Sequence, residues 1–203
     1  MVVLLAPQPP HAGLPPSPWV MRFAALVRPG GRVLDLACGS GRHVRWLAAQ
    51  GFAVTGVDRD EAAVAPLREL AEIVVADLEG APWPLAGRRF DAVVVTNYLW
   101  RPLWPRLRES LAEGGVLLCE TFAFGQQSIG RPSRPEFLLR PGELLAACAG
   151  LRIVAFEDGF EPAAGERGAR FVQRIAAVAE PPAEADDAAA AAPARYGLGG
   201  AAG

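Results

Sequence analysis

Short apolar runs, most of them ending at a polar residue, alternate along this chain with segments whose apolar positions repeat at helical spacing. Val33–Leu36, Phe52–Val57, Glu72–Ala76, Phe90–Thr96 and Val116–Thr121 read as strands. Pro18–Val27 predicts a leading helix with Trp19, Phe23, Leu26 and Val27 on one face, and Arg42–Gln50 predicts the next. Glu61–Leu70 is helical in pattern but carries Pro66, so a short or kinked helix is expected there. Leu103–Ala112 reads as a helix closed by Gly114-Gly115. Another starts at Arg140–Glu143, with Pro141 suited to its first turn and Gly150 to its C-cap. The last runs, near Ile153–Phe156 and Phe171–Val178, flank a turn rich in Gly, Pro and Glu and read as a hairpin. Strands alternating with helices predict the α/β class.

The two ends break this pattern. Pro7, Pro9, Pro10, Pro15 and Pro16 exclude a helix, so residues 1–16 are expected to be a flexible, proline-rich N-terminus. From Glu180 to Gly203 the chain is nearly all Ala, Pro, Gly and acids, with Tyr196 and Leu198 isolated. Such a segment buries too little apolar surface to offset its ordering entropy and is expected to be a disordered tail. The folded domain is then 17–179. Met1–Ala6 is too short for a signal sequence, and no run approaches a membrane span. A net charge of −2 leaves no basic footprint for nucleic acid. Cys38, Cys119 and Cys148 form no spaced cluster with His11 and His43, so neither a metal site nor a disulfide framework is expected. Reduced cysteines suggest a cytoplasmic protein.

Chemistry concentrates where strands end. Val33-Leu34-Asp35-Leu36-Ala37-Cys38-Gly39-Ser40-Gly41 is a strand, a tight small-residue loop and a helix start. That arrangement brings backbone N–H groups close to a nucleotide-like ligand. Val44 stands where the dinucleotide fingerprint would have its third glycine, and no lysine follows Gly41, so neither a nicotinamide-type nor a phosphate-binding loop fits. The second strand ends in Asp58, one helix and one strand beyond Gly41, where a carboxylate can accept from both hydroxyls of a ribose. The third ends in Asp77-Leu78 and the fourth in Asn97-Tyr98. Each acid has a simpler role open to it: Asp58 or Asp60 as a helix cap, Asp77 as a turn former.

The Asp35-x-Ala37-x-Gly39-x-Gly41 loop, followed by Asp58 and Asp77, resembles the class I S-adenosylmethionine (SAM) methyltransferases, with Ala37 where many members carry glycine. The resemblance implies a Rossmann-like doubly wound, mostly parallel sheet of about seven strands with a terminal antiparallel hairpin. It also implies SAM as cofactor, held by Asp35, Ala37, Gly39, Gly41, Asp58 (ribose), Asp77 with Leu78 (adenine) and Asn97. Gly39–His43, Glu120–Ala123 and Gly130–Ser133 resemble a bacterial group of small methyltransferases related to the tellurite-resistance enzymes. That relation implies at most tellurite or thiol methylation.

Two segments are expected to hold a small-molecule acceptor. Asn97–Trp104 lacks the Asn-Pro-Pro-Tyr arrangement of adenine and glutamine methyltransferases, and Glu120–Arg140 is long enough to cover a site. Tyr98, Arg101, Phe122 and Arg131 are the candidate acceptor-binding residues, while Trp104 reads as core. The expected reaction is in-line displacement at the sulfonium methyl, driven mainly by positioning. His43, at a helix start, is expected to face solvent or pack, and no catalytic base is assigned. Thiol or metalloid, carboxylate and other small acceptors stay open, as does a SAM-binding regulatory or scaffold protein without turnover.

Overall fold

The computed structural model describes residues 14–165, 168–181 and 194–198. Seven strands form one sheet: β1 Arg32–Leu36, β2 Ala53–Asp58, β3 Glu72–Val75, β4 Phe90–Thr96, β5 Leu111–Phe122, β6 Arg152–Glu161 and β7 Arg170–Val178. Their spatial order is β3-β2-β1-β4-β5-β7-β6. The first five run parallel, and β7 lies antiparallel between β5 and β6. This is the α/β sheet with a terminal hairpin that the sequence leads one to expect. Strand order reverses at β1, which pairs with β2 on one side and β4 on the other. A crevice therefore opens beyond the carboxyl ends of β1 and β4, the place where open α/β sheets hold ligands.

Both faces of the sheet are covered, as a parallel sheet requires. On one face lie α1 (Pro18–Phe23), α2 (Arg42–Ala49) and α3 (Glu61–Val64), burying Trp19, Phe23, Val44, Leu47, Val64 and Leu67. On the other, α4 (Trp104–Glu109), α5 (Glu143–Ala147) and the β3–β4 connection bury Leu103, Leu107, Leu144, Leu78 and Leu85. Pro66 does shorten its helix: α3 stops at Val64 and a 3-10 turn, Ala65–Leu67, follows. Among the described residues no helix is long and apolar enough to cross a membrane.

Three boundaries differ from the sequence pattern. The helix expected over 103–112 ends at Glu109, because Leu111 already pairs with Phe90 as β5 begins. Gly114 and Gly115 serve a β irregularity rather than a helix stop; a Cβ at Gly115 would lie 2.7 Å from the Ala112 carbonyl oxygen. β6 runs on through Glu161, past the expected end at Phe156, because Glu157 and Glu161 pair with arginines on β7. Alternation of charge along a strand conceals it from a hydropathy pattern.

Of the expected tail, residues 182–193 and 199–203 lie outside the described residues. The stretch 194–198 rests on the domain: Tyr196 packs against the α1–α3 side of the core, and the Leu198 carbonyl accepts from Arg22 Nε at 2.8 Å. Tyr196 and Leu198 are therefore in contact with the domain.

Candidate active site

The β1–α2 loop is built on backbone that side chains disfavour. Gly39 and Gly41 have φ of +53° and +81°, and Ala37 has φ +52°. Gly41 begins α2, and its amide donates to the Cys38 carbonyl at 2.9 Å, closing a turn that aims the loop along the crevice. Ala37 and Asn97 are the two non-glycine residues with positive φ among those described. They sit at the ends of the paired strands β1 and β4, and such strain persists where surrounding structure imposes it.

The sequence-selected residues converge. Asp58, at the end of β2, accepts the Gly39 amide on Oδ2 at 2.7 Å and the Asp60 amide on Oδ1 at 3.0 Å. Asp60, not Asp58, caps α3, accepting from the Ala63 amide at 3.1 Å. Asp77 accepts the Glu79 amide at 2.9 Å, so it does form a turn, and with Leu78 it also lines the crevice. One space of about 310 Å³ is bounded by Ala37, Asp58, Arg59, Asp77, Leu78 and Glu79. A smaller one of about 120 Å³ lies over Gly39, Ser40, Arg42, His43 and Thr96. A third of about 820 Å³ opens between Asn97–Leu99, Thr121–Phe122 and Arg131–Arg134. Tyr98 lines all three, which makes them compartments of one cleft.

Several buried polar atoms here lack partners, which is costly unless a ligand supplies them. Asp35 Oδ2, Asn97 Oδ1 and Tyr98 Oη are buried without an aligned hydrogen bond. Burial pushes the Asp35 carboxyl up to about 7; Arg42 opposes this, nearby Asp58 adds to it, and the Val44 amide opposes it. Burial also raises the Tyr98 phenol, helped by the charge of Glu79, a poorly aligned hydrogen bond to that carboxylate and the charge of Asp77, so Tyr98 stays protonated with its hydrogen directed toward Glu79.

The Asp35 shift has a measurable sign. Its carboxyl ionises near the usual value of 3.8 when unfolded but near 7 when folded, so the native state holds the extra proton between those values. Asp35 therefore loses stabilising effect as pH rises through that window. Relative to an Asp35→Asn variant, the wild type is expected to lose stability between pH 5 and pH 7.5. Urea midpoints of the two proteins at those pH values would show it; parallel curves would contradict it.

Some expectations are corrected. Arg101 does not reach the cleft. It clasps Glu143 through Nε (2.6 Å) and Nη2 (2.9 Å) and donates to the carbonyls of Glu136 and Leu138, tying the turn before α4 to the long β5–α5 connection. Of the two roles left open for His43, packing holds: it is buried, and its Nε2 accepts the Ser17 amide at 3.0 Å. Phe122 and Arg131 do line the large compartment. Trp104 packs on the core, as read, with its indole nitrogen unpartnered. Glu79 and Arg59 line the cleft but were not signalled, since each follows a strand-end acid in a loop without a recognisable spacing. The three cysteines are buried and free. Among the described residues no cluster of three His, Cys, Asp or Glu side chains could hold a metal ion.

Residues 33–115, which carry this loop and all four strand ends, match the family described as "Methyltransferase domain". The chain resembles the class I SAM-dependent methyltransferases. Its fold is shared with TehB from Haemophilus influenzae at a TM-score of 0.65 and 22% identity, covering 78% of this chain. The chain spans only 60% of that protein's length. A TehB-like SAM-dependent methyltransferase from Corynebacterium glutamicum aligns with a TM-score of 0.59 and 20% identity over 84% of this chain and 91% of its own. A SAM-dependent methyltransferase from Mesorhizobium loti gives 0.59 and 21% over 77% and 95%. No curated protein matches the chain by sequence. A methyltransferase domain on this fold implies S-adenosylmethionine as cofactor, and the cleft fits it: Gly39 leaves the loop open to close approach, and the buried Asn97 Oδ1 lacks a hydrogen-bond partner.

Proposed function

We propose that this protein transfers a methyl group from SAM to a small-molecule acceptor. The observation that carries the reading is the convergence of four strand ends on one cleft, with the buried Asn97 Oδ1 on its wall lacking a hydrogen-bond partner. Asp58 holds the ribose hydroxyls and Asp77 with Leu78 the adenine, while Asp35, Ala37, Gly39, Gly41 and Asn97 surround the remainder. When bound, SAM would supply a methyl carbon activated by its sulfonium charge, open to an acceptor lone pair while the carbon–sulfur electrons return to sulfur and the neutral thioether is released. The chain contributes orientation and exclusion of water. Tyr98, Phe122 and Arg131 face the acceptor. A compartment of about 820 Å³ beside the cofactor residues favours turnover over a purely regulatory SAM-binding role.

Binding of S-adenosylhomocysteine, measured by calorimetry, tests the cofactor assignment. Asp58→Ala removes two charge-assisted bonds and is expected to weaken binding by about 100-fold. Asp60→Ala removes only the cap of α3 and is expected to cost about 1 kcal/mol of stability with affinity unchanged. Equal affinity in the Asp58 variant would reduce Asp58 to a brace for the Gly39 amide.

A further inference from the structure

Within that reading, the large compartment has a charge and polarity pattern that narrows the acceptor. Leu99, Phe122 and Phe137 give it apolar walls. Glu79, Tyr98 and Phe137 also belong to the cofactor compartment, so they mark the junction where the acceptor's reacting atom must lie. Arg131 lines the large compartment alone. Its neighbour Arg134 is already neutralised by Glu136 and lies over the Phe137 ring, 5.3 Å from its centre. Arg131 has no carboxylate partner among the described residues; its backbone carbonyl accepts from Gln126 Nε2 at 3.1 Å, which anchors the chain there and leaves the guanidinium to a ligand. A cation confined to the large compartment, apolar walls, and a carboxylate shared with the cofactor compartment describe a polarised slot.

We infer that the methyl acceptor is an organic anion with an apolar body, its anionic group paired with Arg131 and its nucleophilic atom at the Tyr98 end. An inorganic oxyanion would leave the apolar walls unused in so large a space, and a cation would meet Arg131 unpaired. Tyr98 and Glu79 together form the polar wall at the acceptor's reacting end. Arg131 is thus a specificity residue: a planar guanidinium favours a carboxylate or similar fork-shaped anion over a neutral isostere.

The test uses the full chain saturated with S-adenosylhomocysteine and a matched probe set: hydrocinnamate, hydrocinnamide, phenylpropylammonium, acetate and selenite. Calorimetry is expected to show hydrocinnamate binding about five- to tenfold tighter than hydrocinnamide and tighter than acetate or selenite, with phenylpropylammonium weakest. Arg131→Gln is expected to abolish the preference for hydrocinnamate over hydrocinnamide while leaving S-adenosylhomocysteine affinity unchanged. Equal or absent binding of the three aromatic probes, a preference for selenite, or an unchanged preference in the variant would overturn the inference. Failure of the wild type to bind S-adenosylhomocysteine would instead overturn the methyltransferase reading itself.

Discussion

Glu120→Leu is expected to destabilise the protein by about 3–5 kcal/mol, the usual cost of removing one member of a buried ion pair. Glu120 is 1% exposed in the middle of the sheet, opposite Arg174 on β7. Its carboxylate meets Arg170 Nη1 at 3.1 Å and Arg174 Nε at 2.6 Å, the second a charge contact rather than an aligned hydrogen bond. Glu161 pairs with both arginines on their other side, and Glu157 with Arg174. Ser17 Oγ donates to Glu120 Oε1 at 3.1 Å, while the Ser17 amide holds His43 at the start of α2. One carboxylate thereby joins the hairpin, α1 and the cofactor loop. Removing it deprives two guanidinium groups, with side-chain exposures of only 11% and 14%, of their one fully buried carboxylate and leaves them to the partly exposed Glu157 and Glu161. Thermal melting should fall by roughly 6–20 °C at 2–4 °C per kcal/mol. In Glu120→Leu/Arg174→Met the loss is expected to be smaller than the sum of the single variants, because the buried charge is deleted with its partner. Additive losses would mean that the two side chains do not act as a pair.

The second large effect is expected at Gly41. A Cβ there would sit 2.4 Å from Leu67 Cδ1 and 2.5 Å from Cδ2, and Leu67 is fully buried, so it has nowhere to swing. The backbone φ of +81° adds its own penalty for any side chain. Together, strain and overpacking predict a loss of about 3 kcal/mol for Gly41→Ala. Gly39→Ala makes a discriminating control. Its φ is +53° but a Cβ meets nothing within 4 Å, so strain alone should cost about 1–2 kcal/mol. Urea denaturation would separate the two. Equal losses would mean that the contact with Leu67, across from the loop, is not what requires glycine at 41.

Much of the fold was legible because burial on both faces of a parallel sheet writes continuous apolar runs into a sequence. β1, β2 and β4 carry such runs, and their polar last residues mark the edge where a ligand sits. The acids at 35, 58 and 77 were legible for the same reason: a carboxylate at a strand end interrupts an apolar run at a fixed place. β6 was legible only in part, since its outer half is held by ion pairs with β7 and hydropathy is blind to such pairing. The helix over 103–112 was read too long because local propensity carries no trace of the distant Phe90 that draws Leu111 into β5. Ala37 shows a related limit. Alanine resists a positive φ, yet the loop imposes +52° on it.

Local chemistry along the chain was therefore enough to indicate the sheet, the order of its strand-end acids and a nucleotide-like ligand, since each depends on residues close in sequence. SAM itself came from the resemblance to the methyltransferases. Which residues meet across the cleft was decided only by tertiary structure. Arg101 and Arg131 look alike in sequence, both cationic residues of loops following strands. Packing gives Arg101 the carboxylate of Glu143, 42 positions away, and leaves Arg131 on the wall of the large compartment. His43 likewise becomes a buried brace only because Ser17 arrives beside it from α1. A side chain's charge is written in the sequence, but whether another side chain has already neutralised it depends on distances that only the folded chain sets.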